Sequence, residues 1–149
     1  MEYFAYSQKE FHYKYVVMMS DVDQFKHMSF ANYLKLMFLA SDAMLLSVLH
    51  EQEMNECRLV PVETRMQFRN QTAAGDNILI KVNASAIEQG EFALLYTFVL
   101  ERDAKLVGLG RQQFRHVEGD NGKIKQMPPH MKKALQELQV DEKHLLYRY

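Results

Sequence analysis

The chain is poor in cysteine. Cys57 is its only one, so neither an intrachain disulfide framework nor a cysteine-rich zinc site can form. Glycine and proline are sparse as well, at six and three, and no internal repeat or low-complexity segment occurs. Charge of one sign is lacking: 18 Lys and Arg nearly balance 19 Asp and Glu, for a net charge of −1. That leaves no broad basic surface for nucleic acid. No apolar run approaches the length of a membrane span. The first residues, Met1-Glu2-Tyr3-Phe4-Ala5-Tyr6, lack the basic and apolar regions of a signal peptide, which with the lone cysteine suits a cytoplasmic protein. The histidines are dispersed, with no H-x-x-x-H or H-E-x-x-H pair, so no metal is expected. A glycine-rich phosphate loop and a G-x-S-x-G elbow are missing too, against nucleotide and serine-hydrolase chemistry.

What is present fits one domain, residues 1–149, of ordinary globular composition and with length enough for a core. Residues 1–10 carry no period and read as a tail or docking segment. From Phe11 to Met19 an alternation puts Phe11, Tyr13, Tyr15, Val17 and Met19 on one side of a predicted strand. Phe30, Tyr33, Leu34, Met37, Phe38, Met44, Leu45, Val48 and Leu49 then recur at three- and four-residue steps, one wide apolar stripe on a predicted helix of about 20 residues, roughly 30 Å long.

Strands follow the helix. Val62, Thr64, Met66 and Phe68 alternate with Glu63, Arg65, Gln67 and Arg69, the pattern of a strand covered on one face. Ala74-Gly75-Asp76-Asn77 reads as a turn, and Ile78, Ile80, Val82, Ala84 and Ala86 mark the next strand. After a hairpin signal at Glu88-Gln89-Gly90-Glu91, residues Phe92 to Leu100 are apolar on both faces, as a central strand would be. Leu106 to Val117 is the last long strand, and its Gly108 and Gly110 suggest a close backbone approach or a bend. Pro128-Pro129 opens a short C-terminal helix with Met131, Leu135 and Leu138 on its apolar side. A long helix followed by four consecutive antiparallel strands is an α+β layout, and a sheet wrapped around one long central helix is the arrangement called the hotdog fold.

Between the first strand and the helix lies Ser20-Asp21-Val22-Asp23-Gln24-Phe25-Lys26-His27-Met28-Ser29-Phe30-Ala31-Asn32-Tyr33-Leu34. It sets two carboxylates and a histidine against a helix N-terminus, whose unpaired N–H groups point outward. From the D-x-D spacing alone, Asp23 reads as a turn residue or as an anion favoured by the helix dipole. Asp21 suits closing the strand end by accepting backbone N–H bonds. Ser29 is the N-cap candidate, with Asn32 in the capping-box position of Glu or Gln.

The block Asp21-Val22-Asp23, His27-Met28 and Ala31-Asn32-Tyr33-Leu34 resembles the D-x-D…G-H-[VM]-x-N-A-x-Y-[LF] signature of the 4-hydroxybenzoyl-CoA thioesterase-like family of hotdog acyl thioesterases. Phe68 with Gly75-Asp76, Leu106-Val107-Gly108-Leu109-Gly110, and the run from Lys123 to Pro129 are similar to later segments of that family. The likeness spans roughly residues 11–138. It departs at Lys26, where the family has Gly, at Phe30, in place of one of its Asn positions, and at Gln71, where Pro is common. Lys26 and Phe30 lie in the loop entering the helix and bear on substrate shape.

The resemblance implies hydrolysis of an acyl-CoA or acyl-carrier-protein thioester to the free acid. It places Asp23 as nucleophile or general base and the backbone N–H near Phe30 as oxyanion donor. Coenzyme A or phosphopantetheine is then part of the substrate, and no separate cofactor is expected. It also implies a homodimer or homotetramer with active sites at the dimer interface. His27 reads first as a satisfied loop histidine, alternatively as a loop-orienting or carbonyl-binding group. Asn32 is a candidate for steering water or the loop, Tyr33 for packing. Thr64 faces the helix and is a candidate acyl contact, while Glu63 is expected opposite it, paired with Arg65 or Arg69. Met18, Met19, Met28, Met37, Met44 and Met66 read as core filling or as an adaptable acyl pocket. Arg111 and Arg115, with His116 and Lys123 nearby, are candidates for the phosphates of coenzyme A or a phosphopantetheine arm. The alternatives are an acyl-thioester-binding hotdog protein without turnover, a polyketide-releasing carrier-protein thioesterase and, weakest, a dehydratase.

Overall fold

A computed structural model of the chain describes residues 9–119 and 122–143; of the expected tail, residues 1–8 lie outside that range. In chain order the elements are β1 (Phe11–Val16), α1 (Phe30–Val48), α2 (Glu51–Glu56), β2 (Arg58–Phe68), β3 (Asn77–Ser85), β4 (Glu91–Leu100), β5 (Leu106–Glu118), β6 (Lys123–Ile124) and α3 (Pro129–Glu137). The sheet runs β1-β3-β4-β5-β2, with β6 paired to β5. Every strand pairing is antiparallel. The hotdog expectation holds: one long helix lies against one face of a curled antiparallel sheet, and a short helix closes the chain.

The core lies between α1 and the sheet. Leu36, Met37, Ala40 and Met44 from α1 meet Ile78, Ile80 and Val82 of β3 and Phe92, Leu94, Tyr96 and Phe98 of β4. Fully burying a Leu, Met or Phe side chain contributes about 1.5–3 kcal/mol, so this seam outweighs any single polar contact. Glycine sets the closeness of the packing. A Cβ on Gly110 would lie 2.5 Å from Met37 Cε, and one on Gly108 would meet Met66 Cε and lie 2.8 Å from the Gln67 carbonyl oxygen. The close approach expected of these glycines is what the strand provides.

Several local expectations are corrected. β1 stops at Val16, and Met19–Asp21 form a turn of 3-10 helix. The alternation therefore breaks, and Met19 is exposed rather than facing the core. On α1 the single stripe divides. Tyr33, Met37 and Met44 are buried together with Leu36 and Ala40, whereas Phe30, Leu34 and Phe38 are 74%, 52% and 64% exposed. The helix is apolar around most of its circumference, so spacing alone does not tell which side meets the sheet. β2 begins at Arg58 and is open on both faces instead of one. It is an edge strand, bonded to β5 among the described residues, and only a few of its side chains, Leu59, Met66 and Phe68 among them, pack against the core or α1. The doubly covered central strand is found in β4, buried at nine consecutive positions from Phe92 to Leu100.

The outer face of the sheet is covered in part by the chain's own end. Val140 N–H donates to the Ala84 carbonyl, Val140 packs with Leu95, and Glu142 reaches both Ser85 and Arg111. Among the described residues no helix is long and apolar enough to cross a membrane.

Candidate active site

The loop between β1 and α1 is closed by backbone pairing at its neck. Val22 and Met28 form an antiparallel bridge, and Asp23 N–H donates to the His27 carbonyl at 2.9 Å. The turn this makes needs a left-handed residue, and Lys26 supplies it at φ 64°, the position where glycine is usual in similar sequences. Met28 N–H then donates to the Thr72 carbonyl at 2.9 Å, and His27 bridges to Ala73. The loop is thereby held on both flanks.

Asp21 is the anchor. It is 2% exposed. Its Oδ2 accepts from the Tyr15 hydroxyl at 2.6 Å and from Met18 N–H at 2.9 Å, and Lys35 Nζ lies 3.8 Å from Oδ1. Burial pushes its pKa up, but the Tyr15 bond, the Met18 N–H and Lys35 outweigh burial and hold the carboxyl below the usual carboxylate range. Its backbone carbonyl accepts from Ser29 N–H at 3.0 Å and from Asn32 Nδ2 at 2.6 Å. One residue thus ties the end of β1, the loop and the first turn of α1 together.

Asp23 is exposed. Its Oδ1 accepts from Phe25 N–H at 2.8 Å and from His27 N–H at 3.4 Å, an Asx arrangement that fixes the side chain over its own turn. Oδ2 has no partner among the described residues and is open to a substrate or a water. Ser29 stands at the N-cap of α1, as expected, yet its side chain caps no backbone N–H. Its Oγ instead accepts from Asn32 Nδ2 at 3.2 Å. The expected capping box is therefore corrected, because Asn32 faces back toward Ser29 and Asp21. The N–H groups of Phe30 and Ala31 have no acceptor among the described residues, so the helix presents free donors at its start. The Phe30 ring rests on Phe68 at 4.7 Å between centroids, and Tyr33 packs edge-on against Phe68 and Phe98 at 5.2 and 5.5 Å.

Asp23, His27, Phe30 and Asn32 are thus gathered in one loop and one helical turn. The His27 side chain makes no hydrogen bond among the described residues, although its backbone is bridged. Thr64, Arg111 and Arg115 are not brought there. Thr64 projects toward the helix side and accepts from Gln112 Nε2 at 3.2 Å, midway along the sheet. Arg111 and Arg115 alternate with the inward residues of β5 and so occupy the opposite face. There Arg111 Nε lies 3.1 Å from Glu142, and Arg115 Nε 2.7 Å from Glu91. Glu63 pairs with Arg65 at 3.0 Å on that face, as expected. Sequence reasoning passed over Tyr15 and Lys35, the partners of Asp21, and a buried Tyr96–Gln112 pair at 2.7 Å. Gln112 was findable as a polar residue in the inward row of β5; nothing local marked Tyr15.

An exposed carboxylate beside a helix N-terminus with free N–H donors, on a sheet wrapped around one long helix, is an arrangement compatible with acyl-thioester chemistry. The chain belongs to the thioesterase-like superfamily, whose family model matches residues 17–135, and thioester hydrolysis is the activity that membership assigns. The fold is similar to that of a 1,4-dihydroxy-2-naphthoyl-CoA thioesterase from Synechocystis, at 19% identity over 87% of this chain and 98% of that one, TM-score 0.79. It is also similar to the dynemicin thioesterase, whose crystal structures reveal induced-fit and allosteric effects upon polyene binding, at 18% identity over 89% and 99%, TM-score 0.81. A Staphylococcus aureus protein in complex with CoA is similar at 15% identity over 90% and 88%, TM-score 0.79. No curated protein matches the chain by sequence.

Proposed function

We propose that the protein hydrolyses the thioester of an acyl-CoA, or of an acyl group on a carrier protein, with Asp23 as the reacting carboxylate and the Phe30 N–H as oxyanion donor. The supporting observation is the pairing of an unsatisfied helix N-terminus with a carboxylate whose Oδ1 is tied down and whose Oδ2 is free. A side-chain carboxylate in this position either attacks the carbonyl or takes a proton from water. Charge developing on the carbonyl oxygen needs preorganised donors, and one such donor is worth about 2.7–4 kcal/mol in the transition state. Coenzyme A or phosphopantetheine enters as part of the substrate, and the reading calls for no resident cofactor. A cytoplasmic setting goes with such substrates.

The working unit in this reading is a homodimer, alone or doubled to a tetramer. β2 is an eleven-residue edge strand with one row of backbone groups unpaired, a template for pairing with another strand. Beside its end lie Phe30, Leu34 and Phe38, the exposed row of α1. A second copy paired antiparallel through β2 would cover that row and shelter Asp23.

Turnover of a panel of acyl-CoAs and acyl-carrier thioesters tests the proposal. Release of free thiol on at least one member is expected. Tight binding of acyl-CoAs without any release would replace this reading with that of a binding protein.

A further inference from the structure

A groove of about 280 Å³ opens beside the second half of α1, and its wall is not uniformly apolar. Phe38, Leu45, Leu59 and Phe114 supply its apolar lining, and Gln112, Ser41 and Asp42 interrupt it. The polar groups belong to a chain of bonds. The buried Tyr96 hydroxyl donates to Gln112 Oε1 at 2.7 Å, and Gln112 Nε2 donates to Thr64 Oγ1 at 3.2 Å. Burial raises the Tyr96 pKa, which keeps the hydroxyl protonated as a donor. The Gln112 amide is therefore fixed in one orientation.

Counting donors and acceptors shows what is left over. On the groove wall Gln112 has a second amide hydrogen with no acceptor among the described residues, while Thr64, which lies outside the lining, holds the first. Ser41 donates to the Phe38 carbonyl at 3.0 Å and is in hydrogen-bond contact with the Tyr96 hydroxyl, so it is already engaged. Asp42 is half-buried at the rim and has no ion-pair partner among the described residues. The wall therefore offers both donors and acceptors, which is the complement of a hydroxyl group. A carboxylate would meet the charge of Asp42, and an alkyl chain that displaced water from the groove would leave the spare Gln112 amide hydrogen without a partner, which is costly.

One residue, Phe38, relates the groove to the proposed reaction centre. Phe30, Leu34 and Phe38 form one exposed row along α1, and Phe38 is both the end of that row and part of the groove lining. Eight residues separate Phe30 from Phe38, roughly 12 Å of helix, about the reach of a medium-length acyl chain whose thioester sits at the helix start.

We propose that this groove holds the far end of the acyl group and that Gln112 as donor, with Asp42 as acceptor, selects acyl chains carrying a hydroxyl group remote from the thioester. The inference rests on the thioesterase reading and names the substrate class for that site. A site built to bond a hydroxyl rejects the analogue lacking it far more strongly than an apolar pocket rejects an added hydroxyl.

The test compares decanoyl-CoA with hydroxydecanoyl-CoAs in which the hydroxyl is moved from the middle of the chain to its end. kcat/KM is measured for wild type, Gln112→Met and Thr64→Val, and binding is measured with the non-hydrolysable thioether analogues of the same pairs. One hydroxyl position should be preferred over decanoyl-CoA by about 10- to 100-fold, and Gln112→Met should bring that ratio close to one. Thr64→Val, at an exposed position, removes the acceptor that holds the Gln112 amide and should reduce the ratio without disturbing the fold. Equal kcat/KM at every hydroxyl position, or a preference that survives both substitutions in folded protein, would overturn the inference while leaving thioester hydrolysis in place. Selective binding of a hydroxylated thioether by a protein that hydrolyses nothing would remove the thioesterase reading and keep the selectivity. Equal binding of all the thioethers by such a protein would remove both.

Discussion

The Tyr15 hydroxyl donates to Asp21 Oδ2 at 2.6 Å, and this bond joins the end of β1 to the loop that carries Asp23. Hydrogen bonds to a charged group contribute about 1.5–3 kcal/mol. Tyr15→Phe is therefore expected to lower stability by about that much at neutral pH and to loosen the Asp23 loop. Urea unfolding reads the first effect, and a fall in kcat larger than any change in KM reads the second.

The same pair makes a pH prediction. Asp21 is held below its ordinary value, so its contribution is complete above about 4, the unfolded carboxylate value, and is lost as pH falls through the folded value. Tyr15 moves the other way. Burial first, and then the bond and charge of Asp21, raise it to about 12. Its contribution is complete below about 10, the unfolded value, and is lost as pH climbs through the folded one. Urea midpoints should thus be level with respect to this pair between about 4 and 10 and fall outside that window. In Tyr15→Phe the acid fall should be shallower and the alkaline component gone. Unchanged slopes in the variant would contradict the pairing.

The two glycines of β5 should differ. Ala at Gly110 meets the end of the Met37 side chain, which can swing aside, whereas Ala at Gly108 meets the Gln67 carbonyl within the β2–β5 ladder. Overpacking typically costs about 1–3 kcal/mol, and Gly108→Ala is expected at or above the upper end, Gly110→Ala near the lower. Thermal melts of the two variants check the order.

The order of elements was legible because period and punctuation agreed. Ile78, Ile80 and Val82 alternate between clear turns, and α1 runs from Phe30 to Val48 without Gly or Pro. The candidate site was legible in part. Asp23 and Phe30 stand in a block whose resemblance to a known family carried them, whereas Tyr15 is one aromatic among several on a strand. Arg111 looked free in the sequence because its partner, Glu142, is 31 residues away. The split of the α1 stripe was not legible, since Phe30, Leu34 and Phe38 are as apolar as the residues that face the sheet. What decides their side is the position of the β2 edge, a property of the assembled sheet.

That exposed row makes its own prediction. Leu34→Glu should leave a folded chain, since Leu34 is half-exposed, but should reduce the mass in solution to that of one chain and reduce turnover with it. Light scattering at micromolar concentration checks this. A wild type that is already monomeric and fully active would contradict the dimeric site.

The central claim is that Asp23 carries the reaction, and the most direct measurement is the single-turnover rate of Asp23→Asn on the best acyl-CoA of the panel. The substitution keeps the size and the Oδ1 acceptor that Phe25 N–H requires, so the loop should stay folded. General acid–base catalysis by one side chain is worth about 10²–10⁴-fold, and a loss of at least about 100-fold at unchanged acyl-CoA affinity is predicted. Hydrolysis within a factor of about three of wild type would contradict the account, because a 100-fold loss corresponds to roughly 2.7 kcal/mol of barrier.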